Sequence, residues 1–324
     1  MRKVSKILIL CLILILIVSC GKSKDNKKIR IVLDWVPNTN HTGLYVAKDL
    51  GYFKEEGVDV EIVQPPEGST TALIGAGGAE FGISFQDTLA KSFAKENPVP
   101  VTAVAAILQH NTSGIISLKE KGIDSPKKLE GKRYATWEDD IEQAILKKLV
   151  TDNGGDFSKV KLIPYTVTNV VASLKTDIDA IWVYYAWDGI ATERAGLKTN
   201  FLKLRDYGKE LDYYSPVIIA NNDYLKANPE IAKKVLRAIK KGYEYAAKNP
   251  EKSAKILVKN SPELDINLVT ASQKWISKEY QADAKEWGII DGNRWNRFYE
   301  WLYKNKAVER EIPRDFGYSN EYLK

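Results

Sequence analysis

From residue 29 to about residue 260 the chain keeps returning to one pattern: a short aliphatic run, a turn-rich break, then apolar positions at helical spacing. Val58-Asp59-Val60-Glu61-Ile62-Val63 alternates with a period of two and predicts a strand, as do Ile31-Val32-Leu33, Phe81-Gly82-Ile83-Ser84 and Pro216 to Ala220. Thr42 to Asp49 and Pro229 to Lys248 carry helical periodicity. Asn40 or Thr39 is the expected N-cap of the first, and Pro229 opens the second. A second series begins near Ser125, with a predicted strand at Arg133–Thr136, a helix from Asp139 to Val150, a strand at Asp179–Val183 and a helix from Tyr184 to Ala195. Strands alternating with helices predict an α/β fold with largely parallel sheets, in two units of similar size.

The first residues follow a different rule. Arg2, Lys3 and Lys6 precede an uninterrupted apolar run, Ile7 to Val18. It is too short for the ~20 residues of a membrane-spanning helix, but it suits the h-region of a signal peptide. The run ends in Ile17-Val18-Ser19-Cys20-Gly21, a lipobox pattern in which Cys20 is the expected site of lipidation. The reading is a signal peptide at 1–19 and a lipidated, Lys-rich tether at 20–28, holding the protein to the extracytoplasmic face of a membrane.

Charge changes meaning once that leader is set aside. The chain has 48 Lys+Arg against 42 Asp+Glu, but residues 1–28 hold seven of the former and one of the latter, which leaves 41 of each sign from Ile29 onward. A neutral body argues against a nucleic-acid partner. Cys11 and Cys20 are the only cysteines, so the mature body can form no disulfide within itself and offers no thiolate ligand.

Catalytic patterns are sparse. The body has two histidines, His41 and His110, with no Gly-x-Ser-x-Gly elbow and no phosphate-binding Gly-rich loop ending in Lys. Gly75, Gly77 and Gly78 follow a predicted helix where a dinucleotide fingerprint must follow a strand. Glu138-Asp139-Asp140 reads as a helix start. No enzyme activity, metal or cofactor is expected.

What remains is a set of aromatic, amide and acidic residues at predicted strand ends, where open α/β sheets place their ligands. These are Trp35, Asn38 and His41 after the first strand, Phe85 and Gln86 after the third, and Trp137. To them are added Tyr184, Tyr185 and Asp188, and finally Tyr213 and Tyr214. Trp182 is expected in the core. Aromatic faces suit a planar heteroaromatic ring, and amides and a carboxylate suit its ring nitrogens and exocyclic amine.

The run Leu33-Asp34-Trp35-Val36-Pro37-Asn38-Thr39-Asn40-His41-Thr42-Gly43-Leu44-Tyr45, with Gly51-Tyr52-Phe53-Lys54-Glu55, resembles the opening of the ThiY-type formyl-aminopyrimidine-binding proteins. Trp182-Val183-Tyr184-Tyr185-Ala186-Trp187-Asp188 and Asp212-Tyr213-Tyr214-Ser215-Pro216 resemble that family's later segments. The resemblance implies a periplasmic-binding-protein fold of type II, with two α/β lobes around a ligand cleft. Residues 29–118 and 216–324 would form lobe 1 and 119–215 lobe 2. It implies a monomeric solute-binding lipoprotein that delivers a thiamine pyrimidine precursor to an ABC permease and its ATPase, with Trp35, Asn38, Tyr184, Tyr185 and Asp188 on the ligand. The family more often carries Glu where Asp188 stands. Alternatives within the class are riboflavin, another aromatic compound or a sulfonate. The same family includes a fungal pyrimidine synthase, which needs a lysine and a histidine near the third strand and a cysteine-rich iron segment. Ser84, Asp87 and the cysteine-free Tyr213-Tyr214-Ser215-Pro216 stand at those places, which disfavours that chemistry.

Overall fold

The short aliphatic runs pair into two five-stranded sheets with the same strand plan. In this computed structural model, which describes residues 28–324 apart from Pro66 and Thr166, the first sheet is built from β1 (Ile29–Val32), β2 (Val60–Val63), β3 (Phe81–Ser84) and β4 (Val101–Ala106). The second contains β5 (Ser113–Leu118), β6 (Arg133–Thr136), β7 (Lys161–Pro164), β8 (Ala180–Tyr184) and β9 (Thr199–Lys203). The chain then returns to the first sheet with β10 (Val217–Asn221). The strand orders are β2-β1-β3-β10-β4 and β7-β6-β8-β5-β9. In each sheet the fourth strand runs antiparallel to both its neighbours, and the remaining strands are parallel. The expected signal peptide and the expected lipidation site, Cys20, lie outside the described residues. Among the described residues no helix is long and apolar enough to cross a membrane.

This plan moves one expected boundary. Ser113–Leu118, assigned from the sequence to the end of lobe 1, pairs with β8 and β9 in the second sheet. The strand carries only small or aliphatic side chains and is buried over nearly its whole length, so its composition suits the interior of either sheet; only pairing decides. The crossings between sheets therefore fall at residues 107–112 and 204–216.

Both faces of each sheet are covered, as the near-continuous aliphatic runs require. Successive residues alternate between cores: Ile31, Ile218 and Ala220 face one apolar cluster while Val32, Val217 and Ile219 face another. In the second sheet, Ile115, Tyr134 and Trp182 point one way and Ile116, Ala135 and Ile181 the other.

The helix Thr42–Asp49 packs closely on the helix Pro229–Lys248. A Cβ on Gly242 would fall 2.1 Å from the Gly43 carbonyl oxygen, and one on Gly43 would fall 2.3 Å from the Tyr243 ring. Only two glycines permit that approach. It matters for the site because the loop before Thr42 is held by the same contact.

Candidate functional site

The C-terminal ends of five parallel strands converge on one cavity of about 380 Å³ between the two sheets. β1 delivers Asp34 and Trp35, followed by Asn38 and Asn40, and β3 delivers Phe85. From the other side, β6 brings Trp137, β7 brings Val167 and Thr168, and β8 brings Trp182, Val183, Tyr184, Trp187 and Asp188. The carboxyl edge of a parallel sheet is where diverging connections leave a crevice, and here two such edges face each other.

The loop from Asp34 to His41 is braced from within and from behind. A short 3-10 turn, Thr39–His41, precedes the helix and is capped by Asn38, whose side chain accepts from the Asn40 N–H and whose own N–H donates to His41 Nδ1 at 3.2 Å. The helix Thr42–Asp49 itself has His41 at its N-cap, without a side-chain cap bond, in place of the expected Asn40 or Thr39. A His41 Nδ1 that accepts leaves its proton on Nε2, which donates to Asp34 Oδ1 at 2.7 Å. His41, expected on the ligand, is thus fully buried and orients Asp34 instead. Tyr280 donates to the Thr39 carbonyl, Tyr243 donates to the Asn40 carbonyl, and Thr39 hydrogen-bonds Ser272. The chain after residue 260, whose role the sequence left open, therefore buttresses this loop.

Trp35 and Trp137 stand at the lips, 60% and 48% exposed. Glu138, at φ 60° with its N–H on Thr136 Oγ1, turns the backbone sharply just after Trp137. Across the cleft Phe85 and Tyr184 stack with centroids 5.7 Å apart and planes 26° apart. Ser215 donates to the Tyr184 hydroxyl at 3.3 Å. Trp182, expected in the core, is 4% exposed, yet it lines the cavity beside Trp137, and its indole N–H has no partner among the described residues.

After β8 the expected helix starts as a π-type turn, Tyr185–Gly189, before continuing as Ile190–Arg194. The wider turn separates the faces. Trp187 and Asp188 line the cavity, whereas Tyr185 turns away to pack on Phe201 and Trp275, with its hydroxyl on Glu193. Burial pushes the Asp188 carboxyl up to about 6, partly opposed by a backbone hydrogen bond from Tyr184.

Three more expected site residues lie behind the wall. Gln86 is fully buried: its amide donates to the Trp295 carbonyl and its oxygen accepts from the Tyr214 N–H. Tyr213 stacks on Phe298 at 4.0 Å and donates to Asp87 Oδ2, and the Tyr214 hydroxyl accepts from the Asp291 N–H. All three are polar or aromatic residues at strand ends, as the pattern requires, but they face the lobe-1 interior. Of the residues read from the sequence, Trp35, Asn38, Phe85, Trp137, Tyr184 and Asp188 meet at the cavity. Asp34, Asn40, Thr168, Trp182 and Trp187 join them. Asp34, Asn40 and Trp187 lie inside the quoted motifs, and their position beside other strand-end residues is the signal that marks them.

The cavity lining holds two carboxylates, Asp34 and Asp188, and no Lys or Arg. Such a site can sandwich a flat ring and accept hydrogen bonds from its amine or protonated ring nitrogen; it offers no counter-charge for a sulfonate or phosphate.

Solved structures with this architecture include the alkanesulfonate-binding protein SsuA of Xanthomonas axonopodis pv. citri bound to MOPS. It has a TM-score of 0.68 at 13% identity, covering 90% of this chain and 98% of that one. The aliphatic sulphonate-binding protein SsuA of Escherichia coli gives 0.69 at 15%, over 88% and 90%. The fold is the type II periplasmic-binding-protein fold. In sequence, the formylaminopyrimidine-binding protein of Halalkalibacterium halodurans is 27% identical, covering 97% of this chain and 98% of its own length. The 4-amino-5-hydroxymethyl-2-methylpyrimidine phosphate synthase THI11 of Saccharomyces cerevisiae is 29% identical, covering 91% and 88%. Residues 38–253 match the NMT1/THI5-like family, a span that takes in all of the second sheet, every strand of the first except β1, and most of the cavity, and the chain belongs to that family.

Proposed function

We propose that this protein is the extracytoplasmic solute-binding lipoprotein of an ABC importer, and that it captures a thiamine pyrimidine precursor of the formyl-aminopyrimidine or hydroxymethylpyrimidine type. The observation that carries the reading is the composition of the cleft: stacked aromatic side chains around two carboxylates, with no cationic side chain in the lining. A 4-aminopyrimidine presents a flat π-face to Trp35, Phe85, Trp137 and Tyr184, and an amine next to a ring nitrogen to Asp188. The likeness to the formylaminopyrimidine-binding protein supports the same ligand class. The chain acts as a monomer, held to the membrane through Cys20 and handing its ligand to a permease and its ATPase. Closure of the lobes follows from tighter ligand contact in the closed state.

Two other readings are weaker on the same observations. A sulfonate, as in the SsuA structures, would meet two acidic side chains and no cation. The synthase chemistry of the fungal relatives would need groups that Ser84 and Asp87 do not supply, and it would place a phosphate in the same acidic cleft.

Calorimetry with formyl-aminopyrimidine, hydroxymethylpyrimidine, riboflavin and an alkanesulfonate tests the assignment. Binding of either pyrimidine with no heat from the sulfonate is expected. Heat from the sulfonate alone would overturn it.

A further inference from the structure

One hydroxyl ties the two walls of the cavity together from behind. Ser272 lies on the helix Ile266–Ile276, fully buried and outside the cavity lining. On one side its oxygen is 2.6 Å from Thr39 Oγ1, and Thr39 stands between the cavity residues Asn38 and Asn40. On the other side it donates to the carbonyl of Ala186, directly before Trp187 and Asp188 in the π-type turn after β8. Ala186 follows a strand of the second sheet, yet it is buried in the apolar cluster that packs on the first.

Proton counting fixes the direction of these bonds. A carbonyl only accepts, and a serine has one O–H. The Ser272 proton is committed to Ala186, so the Thr39 hydroxyl donates to Ser272. The other end of Thr39 is held by Tyr280, whose hydroxyl donates to the Thr39 carbonyl at 2.6 Å. Thr39, Ser272 and Ala186 are all buried, so solvent supplies no substitute partner.

We propose that Ser272 is a positioning residue for ligand binding, and that the relay from Thr39 through Ser272 to Ala186 sets the spacing between the loop bearing Asn38 and the turn bearing Asp188. The inference rests on the pyrimidine reading and deepens it, by naming what aligns the two halves of that site. A ring gripped by walls from different sheets needs both at a fixed separation, and a displacement on the order of 1 Å at either wall loosens the grip. Deleting one hydroxyl strands a buried oxygen without its partner, a cost that the walls relieve by moving apart.

The test titrates the purified full-length protein with formyl-aminopyrimidine and hydroxymethylpyrimidine by calorimetry, well below the melting temperature of every variant. Thr39→Val keeps the shape and removes the proton, whereas Thr39→Ser keeps the hydroxyl and loses a methyl. Thr39→Val is expected to weaken binding about tenfold, and Thr39→Ser to recover most of that loss. Packing alone would give the reverse order, because serine leaves the larger void. Ser272→Ala should cost about as much as Thr39→Val, and combining the two should add little, since the relay is already broken. The Thr39 pair decides the matter if Ser272→Ala fails to fold. Parent-like affinity in folded Thr39→Val, or losses that simply add in the double variant, would overturn the relay while leaving the pyrimidine reading intact. Binding of neither pyrimidine by the parent would overturn both.

Discussion

Asp188, the carboxyl proposed to meet the ligand's amine, is a group whose charged form the fold disfavours. Its carboxyl sits at about 6 in the fold against 3.8 in a free chain, because the cavity walls deny it water. A gap of about two pK units is worth about 3 kcal/mol, at 1.36 kcal/mol per unit. The sign follows from the direction of the shift. The folded state holds the proton more tightly than the unfolded state, so the penalty is small near pH 4, grows as pH rises through about 6, and is constant above. Asp188→Asn removes the ionisation and retains most of the shape. The variant should match the parent near pH 4 and exceed it by about 3 kcal/mol at pH 8, read from denaturant midpoints across that range. The same substitution removes a charged acceptor worth roughly 1.5–3 kcal/mol to a bound amine, so pyrimidine affinity should drop by about ten- to a hundredfold. A variant that is no more stable at pH 8 than the parent would refute the desolvation argument. An unchanged affinity would remove Asp188 from the ligand's contacts.

Trp35→Ala should leave the melting temperature almost unchanged, since the ring is 60% exposed, while weakening pyrimidine binding by about 0.5–1.5 kcal/mol or more in calorimetry. Gly242→Ala drives a methyl into the Gly43 carbonyl and should cost about 3 kcal/mol or more in denaturant unfolding, with loss of ligand binding as the Asp34–His41 loop shifts. His110, on the first crossing between the sheets, directs Nδ1 to Asp212 at 2.7 Å and Nε2 to Asp283 at 2.9 Å, an arrangement that only the imidazolium satisfies twice. The Asp212 hydrogen bond raises its pKa above 6.5, so its stabilisation is complete below that value and is lost as pH rises through the folded one. His110→Gln should therefore destabilise more at pH 6 than at pH 8.5, measured by denaturant unfolding.

Local order was written in the chain. The alternation of Val58–Val63, the proline opening Pro229–Lys248 and the polar breaks between aliphatic runs set strands, helices and turns, because those depend on periodicity and backbone preference that neighbouring residues supply. The same runs indicated which loops leave the carboxyl ends of strands, and so brought Trp35, Phe85, Trp137, Tyr184 and Asp188 forward as a group. Facing direction was decided elsewhere. Tyr184 and Tyr185 are chemically alike and adjacent, yet one lines the cavity and the other packs on Trp275, because a π-type turn and a helix some 90 residues later divide them. Gln86 and Tyr213 have the chemistry of ligand contacts, but the C-terminal helix Gly292–Lys304 arrives to occupy them. β5 reads equally well in either sheet, and only its pairing with β8 and β9 assigns it. What tertiary structure decided, in each case, was a contact between residues far apart in the chain, whose energy no local window of sequence contains.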